Sequence, residues 1–263
     1  ETDITVMGVA TFSNQAVFED VDIKGTLRVS DVLFDGAATF VKEVTFQNVV
    51  EALSDFYIKG DAFLQNNLTV EGTATFSNQV SFQDAVEAFH DFTVHGETIL
   101  GSNVSIKGDL TVEGTATFSN QVAFQDAVEA FNDFYIHGET ILGSNVSIKG
   151  DLTVEGTATF SNQVAFQDAV EAFNDFYIHG ETILGSNVSI KGDLTVEGTA
   201  TFSNQVAFQD AVEAFNDFYI HGETILGSNV SIKGDLTVEG TATFSNQVAF
   251  QDAVEAFNDF YIH

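Results

Sequence analysis

The chain has 263 residues, of which 39 are Asp or Glu and only 8 are Lys or Arg, so its formal net charge is −31. This balance disfavours a nucleic-acid partner, because nucleic-acid binding depends on cationic side chains. Cys and Pro are absent and 44% of the residues are hydrophobic, so the fold uses no disulfide bonds and has enough apolar surface for a core. No apolar run approaches the roughly 20 residues of a membrane span.

Residues 1–31 are the irregular start of a six-residue pattern. The segments ITVMGV and ATFSNQ have six residues, whereas AVFED and LRVSD, which end at Asp20 and Asp31, have five. We expect tighter corners or bulges at these two short blocks. From residue 32 the six-residue pattern continues without a break, and no linker interrupts it. The sequence therefore predicts one domain over 1–263, with irregular coils at 1–31 and regular blocks at 32–263.

A unit of 42 residues dominates the regular part. Residues 108–149 recur unchanged at 150–191 and 192–233, and 234–263 is a shortened fourth copy. The unit contains seven blocks: LTVEGT, ATFSNQ, VAFQDA, VEAFND, FYIHGE, TILGSN and VSIKGD. Repeats built from such short blocks are typical of solenoids.

Each block reads as a very short strand followed by a corner. The first and third residues are apolar in nearly every block, and residues two apart lie on one face of a strand. Gly, Asn and Asp near the block end provide the backbone freedom that a corner needs. The predicted fold is an all-β solenoid (β-helix) of six-residue strand-corner blocks, coiled with three sides into an elongated rod. The predicted core residues of one repeat are Leu110, Val112, Phe118, Val122, Phe124, Phe134, Ile136, Leu142, Val146 and Ile148.

Two structural alternatives stay open at this point. In QDAVEAFNDF, Phe124, Val128 and Phe131 fall at helical spacing, and Asp126 could cap a helix. We favour a strand, which keeps the block count but leaves Phe131 outward. The second alternative concerns the coil. Either one chain forms the coil alone, with three blocks per turn, or three interwound chains form it together. We favour the lone chain.

Outward apolar residues recur once in each long repeat. A repeated series of this kind predicts lateral contact with another chain or a partner, although isolated exposed apolar residues are common. The candidate lateral-contact residues are Phe131, Tyr135, Ile141, Phe173, Tyr177, Ile183, Phe215, Tyr219 and Ile225.

The sequence gives no support for catalysis, a cofactor or a dedicated metal site. His137 recurs once per long repeat, and in a three-sided coil its copies fall on different faces, so a solvated histidine is favoured over a zinc ligand. Corner carboxylates such as Asp109 predict at most weak, adventitious binding of a divalent cation such as calcium. We therefore expect a protein that is not an enzyme.

Five Asn residues fit the acceptor pattern for N-glycosylation. They are candidate glycan sites in a secreted eukaryotic or archaeal protein, although Asn is also a common corner residue. These residues are Asn67, Asn103, Asn145, Asn187 and Asn229.

Two families resemble this sequence in short motifs. The string VSIKGDLTVEGTATF at 146–160 resembles the shafts of viral and phage tail fibres, which implies intertwined β-helical trimers that present a receptor-binding tip. The alternation IKGDLTVEG at 148–156 is similar to bactofilins, which implies single-chain β-helices that polymerise into filaments.

These observations predict a non-catalytic structural protein of an extracellular fibre or filament. The alternative is an adhesive fibre shaft that binds a surface receptor or a glycan, located outside the cell or on a virion or cell surface. Expected partners are further copies of the chain, in a filament or a trimer.

The two ends of the chain suggest how copies could join. Three residues separate His137 from Ile141, and three residues would also separate His263 from Ile4 of a second copy placed after it. We therefore expect end-to-end contact in which Ile4 and Val6 cover Phe260 and Ile262. A head-to-tail contact that does not close builds an open filament.

Overall fold

A computed structural model gives the fold of residues 10–12, 15–23, 27–29 and 31–263. The described residues form three-residue strands and corners and contain no helix. The chain divides into two compact units, Glu1–Asn132 and Asp133–His263, which are described separately. The single domain over 1–263 stays a prediction. Ile4 and Val6, candidates for end-to-end contact, lie outside the described residues.

The strands of the first unit are β1 Ala10–Phe12, β2 Ala16–Phe18, β3 Val21–Ile23, β4 Leu27–Val29, β5 Val32–Phe34, β6 Ala38–Phe40, β7 Val44–Phe46, β8 Val50–Ala52, β9 Phe56–Ile58, β10 Ala62–Leu64, β11 Leu68–Val70, β12 Ala74–Phe76, β13 Val80–Phe82, β14 Val86–Ala88, β15 Phe92–Val94, β16 Thr98–Leu100, β17 Val104–Ile106, β18 Leu110–Val112, β19 Ala116–Phe118, β20 Val122–Phe124 and β21 Val128–Ala130.

The strands of the second unit are β22 Phe134–Ile136, β23 Thr140–Leu142, β24 Val146–Ile148, β25 Leu152–Val154, β26 Ala158–Phe160, β27 Val164–Phe166, β28 Val170–Ala172, β29 Phe176–Ile178, β30 Thr182–Leu184, β31 Val188–Ile190, β32 Leu194–Val196, β33 Ala200–Phe202, β34 Val206–Phe208, β35 Val212–Ala214, β36 Phe218–Ile220, β37 Thr224–Leu226, β38 Val230–Ile232, β39 Leu236–Val238, β40 Ala242–Phe244, β41 Val248–Phe250, β42 Val254–Ala256 and β43 Phe260–Ile262.

Each unit is a parallel β-solenoid with three sides. Within each unit a strand pairs in parallel with the strand three places later, so each unit contains three sheets with one strand per turn in each. In the regular part a residue pairs with the one three blocks later, as Leu68 does with Val86 and Leu152 with Val170. The solenoid prediction is therefore confirmed, and it is the lone-chain coil that the structure shows.

The two short blocks shorten the corners and leave the strands in register. Ala16 pairs with Val32 and Val21 pairs with Ala38, so both of these turns contain fewer residues than a regular turn such as the one from Leu68 to Val86. Only the corner residues Glu19 and Asp20 separate β2 from β3. The predicted tighter corner is confirmed there.

The inward residues form a continuous apolar core in each unit. All ten core residues predicted for one repeat are at most 2% exposed. Pairs of phenylalanine rings recur in this core, and the rings of Phe160 and Phe176 are tilted by 40° with their centroids 4.9 Å apart. Such ring pairs add about 0.5–1.5 kcal/mol each beyond the burial of apolar area. The helical alternative for QDAVEAFNDF is wrong, since Val128–Ala130 is strand β21.

Asn and Asp side chains hold successive corners together. The Asp151 amide donates a hydrogen bond to Asp133 Oδ1 at 3.0 Å, and the Ala169 amide donates to Asp151 Oδ1 at 2.9 Å. Asn174 Nδ2 donates to the Glu155 carbonyl at 2.7 Å. Corner groups that the strand ladders leave unpaired are thereby satisfied.

Glycine serves a different purpose at the corners from the one predicted. A Cβ atom added at Gly198 would lie 2.3 Å from the carbonyl oxygen of Gly180 in the preceding turn, although the backbone of Gly198 lies outside the left-handed region. Gly198 is therefore required by the close approach of stacked corners rather than by backbone freedom.

This close approach predicts that Gly198→Ala lowers the free energy of unfolding by about 1–3 kcal/mol, the usual cost of overpacking. The matched control is Gly227→Ala, where the added Cβ would lie 3.0 Å from its nearest neighbour, the Gln209 carbonyl oxygen. We expect this control to stay within about 1 kcal/mol of the parent. Urea unfolding followed by circular dichroism measures both, and equal losses would contradict the packing explanation.

One inward position carries a hydroxyl instead of an apolar group. The TIL strands begin with Thr, and these four residues are 1% exposed with no hydrogen-bond partner for Oγ1. They are Thr98, Thr140, Thr182 and Thr224. A buried hydroxyl without a partner costs about 1–3 kcal/mol.

Replacing these four residues by Val keeps the side-chain shape and removes the unpaired hydroxyls. We expect the four-site variant to be more stable by about 1 kcal/mol per site, measured as a rise in unfolding temperature. The control replaces four half-buried outward residues, Thr117, Thr159, Thr201 and Thr243, by Val and should change stability little. A less stable inward variant would show that the hydroxyls have partners.

Candidate functional site

The outward residue in the middle of each strand defines the surface of the coil. A long repeat has seven blocks and a turn uses three, so each face passes through all seven block types before one recurs. In the second unit, the face of β23, β26, β29, β32, β35, β38 and β41 carries Ile141, Thr159, Tyr177, Thr195, Glu213, Ser231 and Ala249 in that order. The other two faces show the same cyclic order from a different starting point.

The isoleucines are the most exposed of the candidate lateral-contact residues. Ile141, Ile183 and Ile225 lie in the middle of β23, β30 and β37 and are 56–57% exposed. Each lies on a different face of the second unit. These side chains are available to another molecule.

The tyrosines are held by their own chain. Tyr177 is half-buried, and its hydroxyl donates a hydrogen bond to Asp175 Oδ2 at 3.3 Å. Partial burial raises the pKa of Tyr177 above its ordinary value of 10.0, and the negative charge of Asp175 raises it further. Burial, then Asp133, raises the pKa of Tyr135 in the same way, whereas for Tyr219 the charge of Asp217 is the larger cause of the raised pKa.

The outward phenylalanines form part of a cation–π cluster. Lys191 Nζ lies 3.6 Å from the ring centroid of Phe173 and 3.3 Å from Glu171 Oε1. Lys233 contacts Phe215 and Glu213 in the same way. The lysine comes from the next turn, which explains how an outward Phe is accommodated. Phe131 is 37% exposed at the corner after β21.

The structure does not bring the three kinds of candidate together on one face. Tyr177 and Ile183 lie on consecutive strands and therefore on neighbouring faces, while Phe173 lies at the corner before β29. Along one face, Ile141 and Tyr177 come from different repeats and are separated by Thr159. A partner on a single face would contact Ile and Tyr from successive repeats.

Four of the repeated histidines, His95, His137, His179 and His221, each pair with a glutamate of the next turn. His137 Nδ1 lies 2.9 Å from Glu155 Oε2, and His179 lies 3.0 Å from Glu197. These pairs are half-exposed, and their contribution to stability is small. The constant offset of three blocks between His and Glu is the signal that could have revealed them. Within the described residues no group of three or more potential ligands could hold a metal ion.

The candidates for end-to-end contact and for glycosylation stay predictions. Ile262 is 54% exposed, whereas Phe260 is half-buried and its ring centroid lies 4.9 Å from that of Phe244. All five candidate glycosylation residues are exposed: Asn67, Asn103, Asn145, Asn187 and Asn229.

The parallel three-sheet coil and its repeated surface define a β-solenoid repeat protein. The haemagglutinin repeat model matches residues 91–128, 137–170, 179–212 and 221–254, which together make up just over half of the chain. The chain belongs to the haemagglutinin repeat family. No curated protein and no solved structure matches it.

Membership of this family describes the protein in broad terms. It is a structural or adhesin-like repeat protein, and the solenoid fold of the family is typically non-catalytic. Proteins of the family are typically secreted or surface-associated. Among the described residues no helix is long and apolar enough to span a membrane.

The tyrosine–aspartate pairs predict an elevated ionisation midpoint in an absorbance titration of the folded protein. Because the raised pKa belongs to the folded state, the free energy of unfolding should decrease as the pH rises from about 10, where unfolded tyrosine ionises. Replacing the five paired carboxylates by Asn (Asp55, Asp133, Asp175, Asp217 and Asp259) should move the midpoint down, because a neutral amide no longer repels the phenolate.

A charge-matched control separates this pairing from the net charge of the chain. It replaces five corner residues by Gln: Glu71, Glu113, Glu155, Glu197 and Glu239. The midpoint should then stay close to that of the parent. If both variants moved it equally, the overall negative potential, and not the pair, would set the pKa.

Proposed function

We propose that this chain is a non-catalytic structural protein of an extracellular fibre or filament. The observation that carries the proposal is the uniform register of each unit, in which the residues of a regular strand pair with their counterparts three blocks later. Such a turn adds a layer of about 4.8 Å and the same apolar interior. A protein built this way gains length by repetition, without a new core for each addition.

The exposed isoleucines support self-association of such coils. Ile141, Ile183 and Ile225 occur once in each long repeat and have more than half of their surface in contact with solvent. The Tyr and Phe candidates are engaged within the chain, so lateral contact rests chiefly on the isoleucines. End-to-end contact through Phe260 and Ile262 is a further part of the proposal.

The second candidate function is adhesion to a surface receptor or a glycan. The haemagglutinin repeat match favours it, since proteins of this family are structural or adhesin-like. In this role the same outward residues would contact a molecule on another surface instead of a second coil.

Substitution of the four outward isoleucines tests the first function. Ile99, Ile141, Ile183 and Ile225 are replaced by Thr, which removes apolar surface without a change of charge. If the coils associate, the association constant measured by sedimentation velocity should fall by at least about tenfold, since an aliphatic side chain contributes about 1.5–3 kcal/mol on burial.

The control replaces Thr117, Thr159, Thr201 and Thr243 on the same faces by Ser and should leave association unchanged. A parent that stays monomeric at high concentration and in high salt would contradict the fibre. Binding of this monomer to a glycan array or to cells, lost in the isoleucine variant, would support adhesion.

A further inference from the structure

A shallow trough crosses one face of the second unit. Its volume is about 450 Å³. Its floor is formed by the outward residues of five neighbouring strands of one sheet, β25, β28, β31, β34 and β37. These residues are Thr153, Glu171, Ser189, Ala207 and Ile225. We call this surface the acidic trough.

The order of the blocks around the coil produces the trough. On the face of β28, β31, β34 and β37 the outward Glu, Ser, Ala and Ile follow one another, and the small Ser189 and Ala207 lie between two longer side chains, Glu171 and Ile225. A second hollow of about 420 Å³ is lined by Glu213, Ser231 and Ala249 on another face of the same unit. The trough therefore belongs to the repeat rather than to one irregular position.

The charged residues that line the acidic trough are all acids. Asp151 and Glu223 are exposed at its two ends and Glu171 lies between them. Neutral donors contact both end carboxylates: the Ala169 amide donates to Asp151, and Gln205 Nε2 donates to Glu223 at 3.0 Å. Lys191 contacts only Glu171 among these three acids. The two end charges are therefore not neutralised by a cation.

These charges select the sign of the occupant. An acidic segment placed over Asp151 and Glu223 would be repelled. A single metal ion does not fit either, because no group of three or more potential ligands could hold one within the described residues. A cationic partner remains as the complementary occupant.

The dimensions select the shape of the occupant. Asp151 and Glu223 are four turns apart, which is about 19 Å at the usual strand spacing. An extended peptide rises about 3.3 Å per residue, so about six residues span this distance. The small residues Ser189 and Ala207 allow a main chain to lie close to the floor.

We propose that the acidic trough binds an extended basic segment of a partner protein, about six residues long, with Lys or Arg near each end and small or apolar residues between. The end cations pair with Asp151 and Glu223, and the middle of the segment lies over Ser189 and Ala207. This site goes beyond the proposed fibre, because it requires no assembly of the chain.

The probe is a fluorescein-labelled peptide with one Lys at each end of four small residues, and the measurement is fluorescence anisotropy with the full chain. A peptide with the same two Lys side by side is the charge-matched probe. We expect the spaced peptide to bind the parent more tightly, because only this peptide reaches both end carboxylates. Equal affinities, or no binding, would overturn the proposal.

Filling the floor tests the trough itself. In the test variant, Ala123, Ala165, Ala207 and Ala249 are replaced by Leu, which fills every copy without a change of charge. In the control, Thr117, Thr159, Thr201 and Thr243 are replaced by Leu at outward positions that do not line the trough. We expect binding of the spaced peptide to weaken at least about tenfold in the test variant and by less than about twofold in the control, as for a contact confined to one surface. Equal affinities would assign the binding to the general negative charge and overturn the proposal.

A second pair of variants covers the case in which the Leu variant does not fold, as judged by circular dichroism. Glu97, Glu139, Glu181 and Glu223 are replaced by Gln, against a control with Gln at Glu113, Glu155, Glu197 and Glu239. Both variants lose four negative charges, and only the first loses charge at the trough. Weaker binding in the first alone supports the site, and equal weakening rejects it.

Discussion

The pairing of each residue with its counterpart in the next turn is the constraint on which each unit depends. It satisfies the backbone of strands that are only three residues long, as in Leu194 paired with Val212. It also directs the first and third residues of a block inward, as it does Leu194 and Val196, which are at most 1% exposed. Such short strands have no stability alone. The ladder and the core therefore form together, and a change that shifts the register by one residue would turn the core outward.

The fold could be predicted because the six-residue period determines which side chains point inward and where each corner lies. Phe118 and Ile148 are examples, since each is the third residue of its block and each is buried. Thr182 shows the limit of this reasoning. The block position of Thr182 places its side chain in the core, although its hydroxyl finds no hydrogen-bond partner there.

The surface was harder to predict, because it depends on which blocks become neighbours. The contact of Lys191 with Phe173, the pair of His137 and Glu155 and the floor of the acidic trough all join residues of successive turns. Their sequence distance is set by the number of blocks per turn, which the sequence left open between a lone chain and three interwound chains. With three blocks per turn known, these contacts follow from simple counting. The close approach at Gly198 does not, since it depends on the spacing of the corner backbones.

The mismatch between the seven-block repeat and the three-block turn has a further consequence for a chain so rich in acid. If the repeat filled a single turn of three blocks, every outward Glu would stack on an identical Glu at about 4.8 Å, where like charges are destabilising. In the second unit Glu213 instead lies between Thr195 and Ser231. The same mismatch gives all three faces the same cyclic order of residues, and in the second unit the face of β28, β31, β34 and β37 carries the whole Glu–Ser–Ala–Ile series from which the trough is built. The block order that separates like charges thus also sets the positions of the hollows, which lie on two different faces of that unit.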